Sequence, residues 1–259
     1  MIQFSQTEND GIGGVCGLYA AASREAGGYA QTAQYTIQEK RRQTMINRME
    51  KIYSPQDSRV ALKVYQGHFA APHSHVTHYF DLTTLRTRVS EAQAAAKLLA
   101  EGFGKDQVVD TIVCLDGMEV VGAFLAEQLL AAGVSSMNAH ETIYVTAPEK
   151  GFQDRFTFGE NLIPLIHRKN VLVLAGAVST GMTVRACLDA IRCCGGIPGG
   201  ICSVFSALRR VEELDVHTIF TASQVPDYRT ASGRECVHCM AGKKLDALVN
   251  GEGCFCPGR

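Results

Sequence analysis

Residues 171–183 (VLVLAGAVSTGMT) constrain this chain more than any other stretch. The run opens with four consecutive apolar residues, the pattern of a strand buried on both faces in a parallel sheet. It passes through small residues and closes on Ser179, Thr180, Gly181, Met182 and Thr183. Beyond Thr183 the period becomes helical, with Val184, Leu188 and Ile191 on one face. A strand, a hydroxyl- and glycine-containing turn and then a helix describe an anion site. The first amides of a helix lack internal partners, and the helix dipole makes that end partly positive. An ordinary strand-to-helix connection with Thr183 as helix N-cap fits the same letters, and on this stretch alone both readings stand.

The surrounding chain supports an α/β reading. Strands are expected over 108–115, 142–145, 171–174, 201–205 and 217–220. Helices are expected over 83–103, 119–132 and from Thr183 to about residue 194. Residues 59–65 read as a strand or a helix end, Tyr79 and Phe80 suit a strand, and 155–158 suits one arm of a hairpin. Alternation of this kind implies a doubly wound, mainly parallel sheet whose ligand sits at the carboxyl ends of the strands. The loops beginning at Asp116, Thr146, Ala175 and Thr221 therefore belong at one rim. Residues 1–44 have little periodicity and read as a flexible N-terminal extension to a domain over 45–259. That domain divides into a hood at about 60–82, a core at about 83–225 and a cysteine-containing tail at 226–259.

Composition removes several classes of function. With 259 residues, 46% hydrophobic and 20% charged, the chain can bury a full core without disulfides. A net charge of −1 gives no general attraction to nucleic acid or to an anionic membrane. No apolar run has the length of a membrane span, and the N-terminus lacks a signal-peptide pattern. The expected compartment is the cytoplasm.

Three clusters could carry chemistry. The loop at Asp116, Gly117 and Met118 can present amides to a phosphate, or Asp116 and Glu119 can hold a divalent cation; Glu119 equally suits the positive end of its own helix. The histidines His68, His73, His75 and His78 invite a zinc reading, but no cysteine lies near them in sequence, so polar contacts around a pocket are the stronger expectation. Cys236, Cys239, Cys254 and Cys256 could form a tetrahedral zinc site, although the second pair is spaced more tightly than a usual knuckle. A loose tail with free thiols is the alternative.

Taken together, these segments resemble the type I phosphoribosyltransferases, and the orotate phosphoribosyltransferases in particular. Residues 179–183 are similar to the family's Thr-Thr-Gly-Gly-Ser/Thr phosphate loop. Gly67, His68 and Phe69, the Ser/His-rich turn, Tyr79, Phe80 and Asp81 resemble its N-terminal segment. Residues 235–242 resemble its late Cys-Pro-x-Cys-x-x-Gly. The resemblance implies that Ser179, Thr180, Gly181, Met182 and Thr183 hold a 5-phosphate and that Asp116, Gly117 and Met118 hold pyrophosphate. It implies a base under Phe69, His75 and Phe80, catalysis by Lys150 and Arg155, Mg2+ with the pyrophosphate, and a homodimer binding a small phosphoribosyl or nucleotide ligand.

Three positions depart from the family pattern. Its ribose-binding acidic pair falls on Ala175 and Gly176, its Arg-Lys pair on Thr146 and Ala147, and one loop glycine on Met182. Two expectations follow: transfer of a phosphoribosyl group to a pyrimidine-type base, or non-catalytic binding of a nucleotide or ribose phosphate. A zinc-stabilised interaction protein built on the cysteine tail is the third.

Overall fold

In the computed structural model the described residues are 49–103, 107–131, 142–151, 155–251 and 253–255. The N-terminal extension expected over 1–44 lies outside them, as do Cys16 and Cys256. None of the described helices is long and apolar enough to cross a membrane.

The chain begins with β1 (Met49–Tyr53), β2 (Ala61–Ala71) and β3 (Ser74–Asp81), followed by α1 (Thr83–Thr87) and α2 (Val89–Gly102). Then come β4 (Thr111–Cys114), α3 (Glu119–Ala131), β5 (Tyr144–Thr146), β6 (Glu149–Lys150), β7 (Phe156–Thr157) and α4 (Ile163–Ile166). The second half holds β8 (Asn170–Val178), α5 (Met182–Cys193), β9 (Ile197–Ser206), β10 (Arg210–Val211) and β11 (Leu214–Thr221). It ends with β12 (Thr230–Ala231), α6 (Val237–Met240), β13 (Ala247–Asn250) and β14 (Gly253–Phe255).

The central sheet runs β10-β11-β9-β8-β4-β5, parallel throughout except for the edge strand β10. The chain adds β5 on one side of β4 and then β8, β9 and β11 on the other. The direction of winding therefore reverses between β4 and β8. In open α/β sheets that reversal leaves a crevice at the carboxyl ends of the two strands, where ligands bind. This is the doubly wound α/β class expected from the sequence.

Alternation along β8 explains why both faces of the sheet are covered. Leu172 and Leu174 enter one core cluster with Leu99, Val121 and Leu125 of α2 and α3. Val171, Val173 and Ala175 enter a second with Val184, Cys187, Leu188 and Ile191 of α5. A residue pair buried on opposite faces requires apolar side chains at successive positions, which is the continuous run seen in the sequence.

The hood is a second sheet, β12-β3-β2-β13-β14, with β1 also paired to β2. Its strands come from both ends of the described chain. β2 and β3 form an antiparallel hairpin, while β13 joins β2 in parallel, Ala247 opposite Phe69 and Leu248 opposite Ala70.

Several expectations need adjustment. The single helix expected over 83–103 is two helices, because Arg88 is extended (φ −89°, ψ 116°) and starts α2. The break turns Val89 out to 56% exposure, although its spacing from Leu85 would put both on one buried face of an unbroken helix. Of residues 59–65, those from Ala61 on belong to strand β2, as the strand reading expects, and Arg59 and Val60 precede it. β8 continues through Ala175 and Gly176 to Val178, so those two residues are not in a turn. Thr183 is not the helix cap; Gly181 is, with φ +75°, and no side chain caps it. The hairpin arm expected over 155–158 forms as β7, paired to β6.

Gly122 and Gly102 give opposite forecasts for the same substitution. A Cβ on Gly122 of α3 would lie 2.5 Å from Cys114 Sγ and 3.2 Å from Val145 Cγ1, whereas one on Gly102 meets nothing nearer than 3.9 Å. Gly122→Ala should lower stability by about 1–3 kcal/mol through overpacking. Gly102→Ala should leave it unchanged or raise it by up to about 1 kcal/mol through helix propensity. Urea midpoints of the two variants test this pairing of the helix with the sheet.

Candidate functional site

The crevice between β4 and β8 opens into a pocket roofed by the hood. Its floor is Leu115 and Asp116 after β4, and Ala175, Gly176, Ala177 and Ser179 along and after β8. Thr183 and Val184 enter from the first turn of α5, and Lys150 from β6. The hood supplies Val76, His78, Tyr79 and Phe80; α1 adds Thr83 and Arg86; the C-terminal strands add Val249, Asn250 and Gly251. The rim loops after β4, β5 and β8 thus meet as the topology requires, the last beginning at Ser179 rather than at Ala175.

Two parts of this pocket differ in chemistry. One is the β8–α5 junction. Gly181 takes the left-handed conformation, which a side chain would resist, and a Cβ there would press on Val211 and Leu208 at 3.1 and 3.2 Å. The turn lets α5 start with its first amides uncapped by any side chain, so a partly positive helix end faces the crevice. The other part is aromatic. Phe80 stacks on Tyr228 with ring centres 5.6 Å apart and 27° between planes, and both pack on Phe205. The Tyr228 hydroxyl lies beside Ser179, which joins the aromatic wall to the junction; burial pushes this phenol up to about 12 against the opposing pull of Ser179, so it stays neutral. Burial likewise lowers His78, which is held beside Thr77 Oγ1 at 2.9 Å.

Asp116 is the one carboxylate among the described residues lining this pocket. It adopts φ +59° and sets its side chain back against β8, where Oδ2 accepts the Gly176 amide at 3.1 Å. Arg86 closes over it, donating from Nη1 to the Asp116 carbonyl at 2.6 Å and to the Gly251 carbonyl at 2.7 Å. Gly251 packs directly on the Asp116 carboxylate, with no room for a Cβ.

Of the residues singled out in the sequence, Ser179 and Thr183 line the pocket, as do Asp116, Lys150 and Phe80. Thr180 and Gly181 shape the turn beside it, and Met182 stands 46% exposed on the helix end. Met118 is fully buried in the core rather than presented to a ligand. Gly117 abuts the Arg86 guanidinium. Arg155 lies at the base of the β6–β7 hairpin, its carbonyl accepting from Gly151, and is not part of the lining. Two expected base contacts move elsewhere: Phe69 is 1% exposed within the hood, and His75 turns away to face Cys239 Sγ at 3.2 Å. For His75 the alternation of β3 is the reason, since Val76, His78 and Phe80 share the other side of the strand.

The four-cysteine cluster also regroups. Cys236 and Cys239 lie beside His68 and His75, while Cys254 is on β14 and outside that group. Arg86 and Tyr228 are lining residues that the sequence does not announce. Arg86 shares a helix turn with no motif, and Tyr228 could be found only by the rule that loops after parallel strands share one rim. The two positions where the resemblance would put an acidic pair are occupied for structural reasons. Ala175 is buried against α5, and a side chain at Gly176 would collide with Leu82 Cδ1 at 2.9 Å. Packing and the Asp116 carboxylate fill that space.

Burial raises the Asp116 carboxyl above its ordinary 3.8, against the opposing pull of the Gly176 and Ala177 amides, Arg86 and Lys150. The folded chain then keeps a proton that the unfolded chain releases. This contribution to stability is complete below about pH 3.8 and is lost as pH rises through the folded value. An amide at this position does not titrate and carries no such loss. Relative to the Asp116→Asn variant, the wild-type chain should become less stable as pH rises from about 4, then level off. Urea unfolding across pH 4–8 measures the difference, and parallel curves for the two proteins would refute it.

No protein-family model matches the chain. No curated protein matches it either. Solved structures do. An adenine phosphoribosyltransferase from Rhodothermus marinus is 16% identical, with 71% of this chain and 99% of that one covered at a TM-score of 0.42. An orotate phosphoribosyltransferase from Aeropyrum pernix is 14% identical, covering 62% and 88%, also at 0.42. An orotate phosphoribosyltransferase from Mycobacterium tuberculosis, in complex with inorganic phosphate, is 15% identical, covering 57% and 80% at 0.43. The chain is similar to phosphoribosyltransferase structures, and the chemistry of its own pocket carries the functional reading.

Proposed function

We propose that this pocket binds a 5′-phosphorylated nucleoside, with the phosphate at the β8–α5 junction and the base against Phe80 and Tyr228. The carrying observation is that the uncapped start of α5, with Ser179 and Thr183, opens into the same cavity as the aromatic stack. An anion is favoured by the helix end and by Lys150; a flat ring is favoured by two stacked aromatics. The ligand class follows from having both in one crevice.

Binding without transfer is the reading these residues favour. Pyrophosphate would approach the loop at Asp116, whose side chain already takes the Gly176 amide and is covered by Gly251, leaving that space filled. Neither Ala175 nor Gly176 offers a side-chain acceptor for ribose hydroxyls. Phosphoribosyl transfer to a pyrimidine-type base is the second reading. Lys150 in the lining favours it, because a cation near a departing pyrophosphate stabilises its charge. That reading calls for magnesium. With Asp116 turned to the backbone, the ligand's own phosphate oxygens would have to carry the ion.

Titration calorimetry with uridine monophosphate, adenosine monophosphate, ribose 5-phosphate and phosphoribosyl pyrophosphate tests both readings. At least one monophosphate should bind, and Ser179→Ala with Thr183→Val should weaken it by about ten- to a hundredfold, the worth of one or two hydrogen bonds to a charged group. Absence of heat with every ligand would end the proposal. Release of pyrophosphate from phosphoribosyl pyrophosphate in the presence of a base and magnesium would move the assignment to the transferase.

A further inference from the structure

A second cluster lies on the hood, where β2 and β3 meet the C-terminal segment. His68 and His75 come from the hairpin; Cys236 and Cys239 come from the N-terminal boundary and body of α6. One ligand atom from each of the four lies within 4.8 Å of the others. His68 Nε2 is 3.1 Å from His75 Nδ1, 3.4 Å from Cys236 Sγ and 3.5 Å from Cys239 Sγ. Cys239 Sγ is 3.2 Å from His75 Nδ1.

We propose that His68, His75, Cys236 and Cys239 hold a structural zinc ion that fastens the hood hairpin to the C-terminal segment. Zinc bonds of about 2.0–2.1 Å to nitrogen and 2.3 Å to sulfur, arranged as a tetrahedron, put neighbouring donors about 3.3–3.8 Å apart. The separations above reach that range or fall within a few tenths of an ångström of it. Two thiolates and two imidazoles are the donor set for tetrahedral zinc, rather than for magnesium or calcium, which take oxygen. Binding converts both thiols to thiolates and releases their two protons to solvent.

The supporting contacts match those of a ligating histidine. His68 Nδ1 lies 3.0 Å from the Lys243 carbonyl, so that nitrogen carries the proton and Nε2 presents its lone pair to the cysteines. The same strand residue is held by its backbone: its amide donates to Asp246 Oδ2 at 2.8 Å, and its carbonyl accepts the Asp246 amide at 2.8 Å. After Cys239 the chain turns sharply at Gly242 (φ +68°), and the Lys243 amide bonds back to the His238 carbonyl. That turn is what brings the Lys243 carbonyl under His68. Four protein donors leave no open position for a substrate, so the ion would be structural.

The location gives the ion its role. His68 and Cys236 are 168 residues apart in sequence, so one ion would close a very long loop. The hairpin it holds carries Val76, His78 and Phe80, and the segment it holds leads to Val249 and Gly251, so it anchors two walls of the pocket. This inference rests on side chains outside the pocket and stands apart from the nucleotide reading.

The test uses the full chain, purified without a metal-affinity tag or chelator. Elemental analysis should find about one zinc per chain. Replacement by cobalt should give the visible bands of a tetrahedral thiolate site. Cys239→Ser and His75→Gln should each lose most of the metal, while Cys254→Ser with Cys256→Ser keeps it. Because a ligand variant can unfold, the unmodified chain supplies an independent readout. Chelation should lower its melting temperature by several degrees and make two further thiols reactive, and zinc, but not magnesium, should reverse both. Metal-free protein with an unaltered melting temperature would overturn the proposal. So would zinc lost on changing Cys254 and Cys256 but kept when His75 is changed.

Discussion

The parallel pairing of β13 with β2 is the constraint on which the pocket depends. Ala247 opposite Phe69 and Leu248 opposite Ala70 bring the end of the chain back to the hairpin near its beginning. The core sheet could form without that contact, because α2, α3 and α5 cover both its faces. The pocket could not. Its roof comes from β3 and its far wall from β13 and the residues after it, and only this pairing places the two together. Closing so long a loop carries an entropic cost that local contacts cannot offset until the strands meet. The paired Asp246–His68 hydrogen bonds, one through the Asp246 carboxylate and one through its amide, and the Arg86 bridge to Gly251 reinforce the same junction from either side.

Sequence and structure agree where the information is local. The apolar run at 171–174 requires a strand buried on both faces, and Gly181 requires a turn that a side chain would resist. Both are in place. The order of strands and helices then determines the winding and the end of the sheet at which a ligand would sit. What escapes the sequence is mostly non-local. Nothing near His68 or His75 announces a cysteine, and nothing near Cys236 announces a histidine. The two pairs meet because β12 sets Ala231 opposite His75, five residues before Cys236, and β13 then returns to β2. Reading along the chain groups these cysteines with Cys254 and Cys256, their neighbours in sequence, rather than with their neighbours in space.

A different kind of error concerns side-chain direction. His75 lies in the correct hairpin but on the face away from the pocket, since a strand sends alternate residues to opposite sides, while Phe69, opposite Val76, is buried within the hood. The break at Arg88 has a similar effect on Val89. A helix that restarts one residue later rotates its buried face, and periodicity measured across the break no longer applies. In both cases the element is legible and its phase is not.

On the proposed reading, the β8–α5 junction offers a site for a phosphate, while Ala175 and Gly176 offer no side chain to a ribose. The phosphate half depends on backbone: a left-handed glycine, an uncapped helix start and two hydroxyls, which tolerate Met182 because its side chain points to solvent. The ribose half depends on side chains, and there Ala175 has joined the hydrophobic core while Gly176 makes room for Leu82 and Asp116. Restoring carboxylates at those two positions would not restore a ribose site. One would be buried against α5, and the other would press on a carboxylate already present. Asp116, Arg86 and Gly251 share a single closed arrangement beside those two positions. A phosphate can still be met at the helix end, about which nothing has been filled in, whereas a second phosphate would have to displace Asp116 from the amides that hold it.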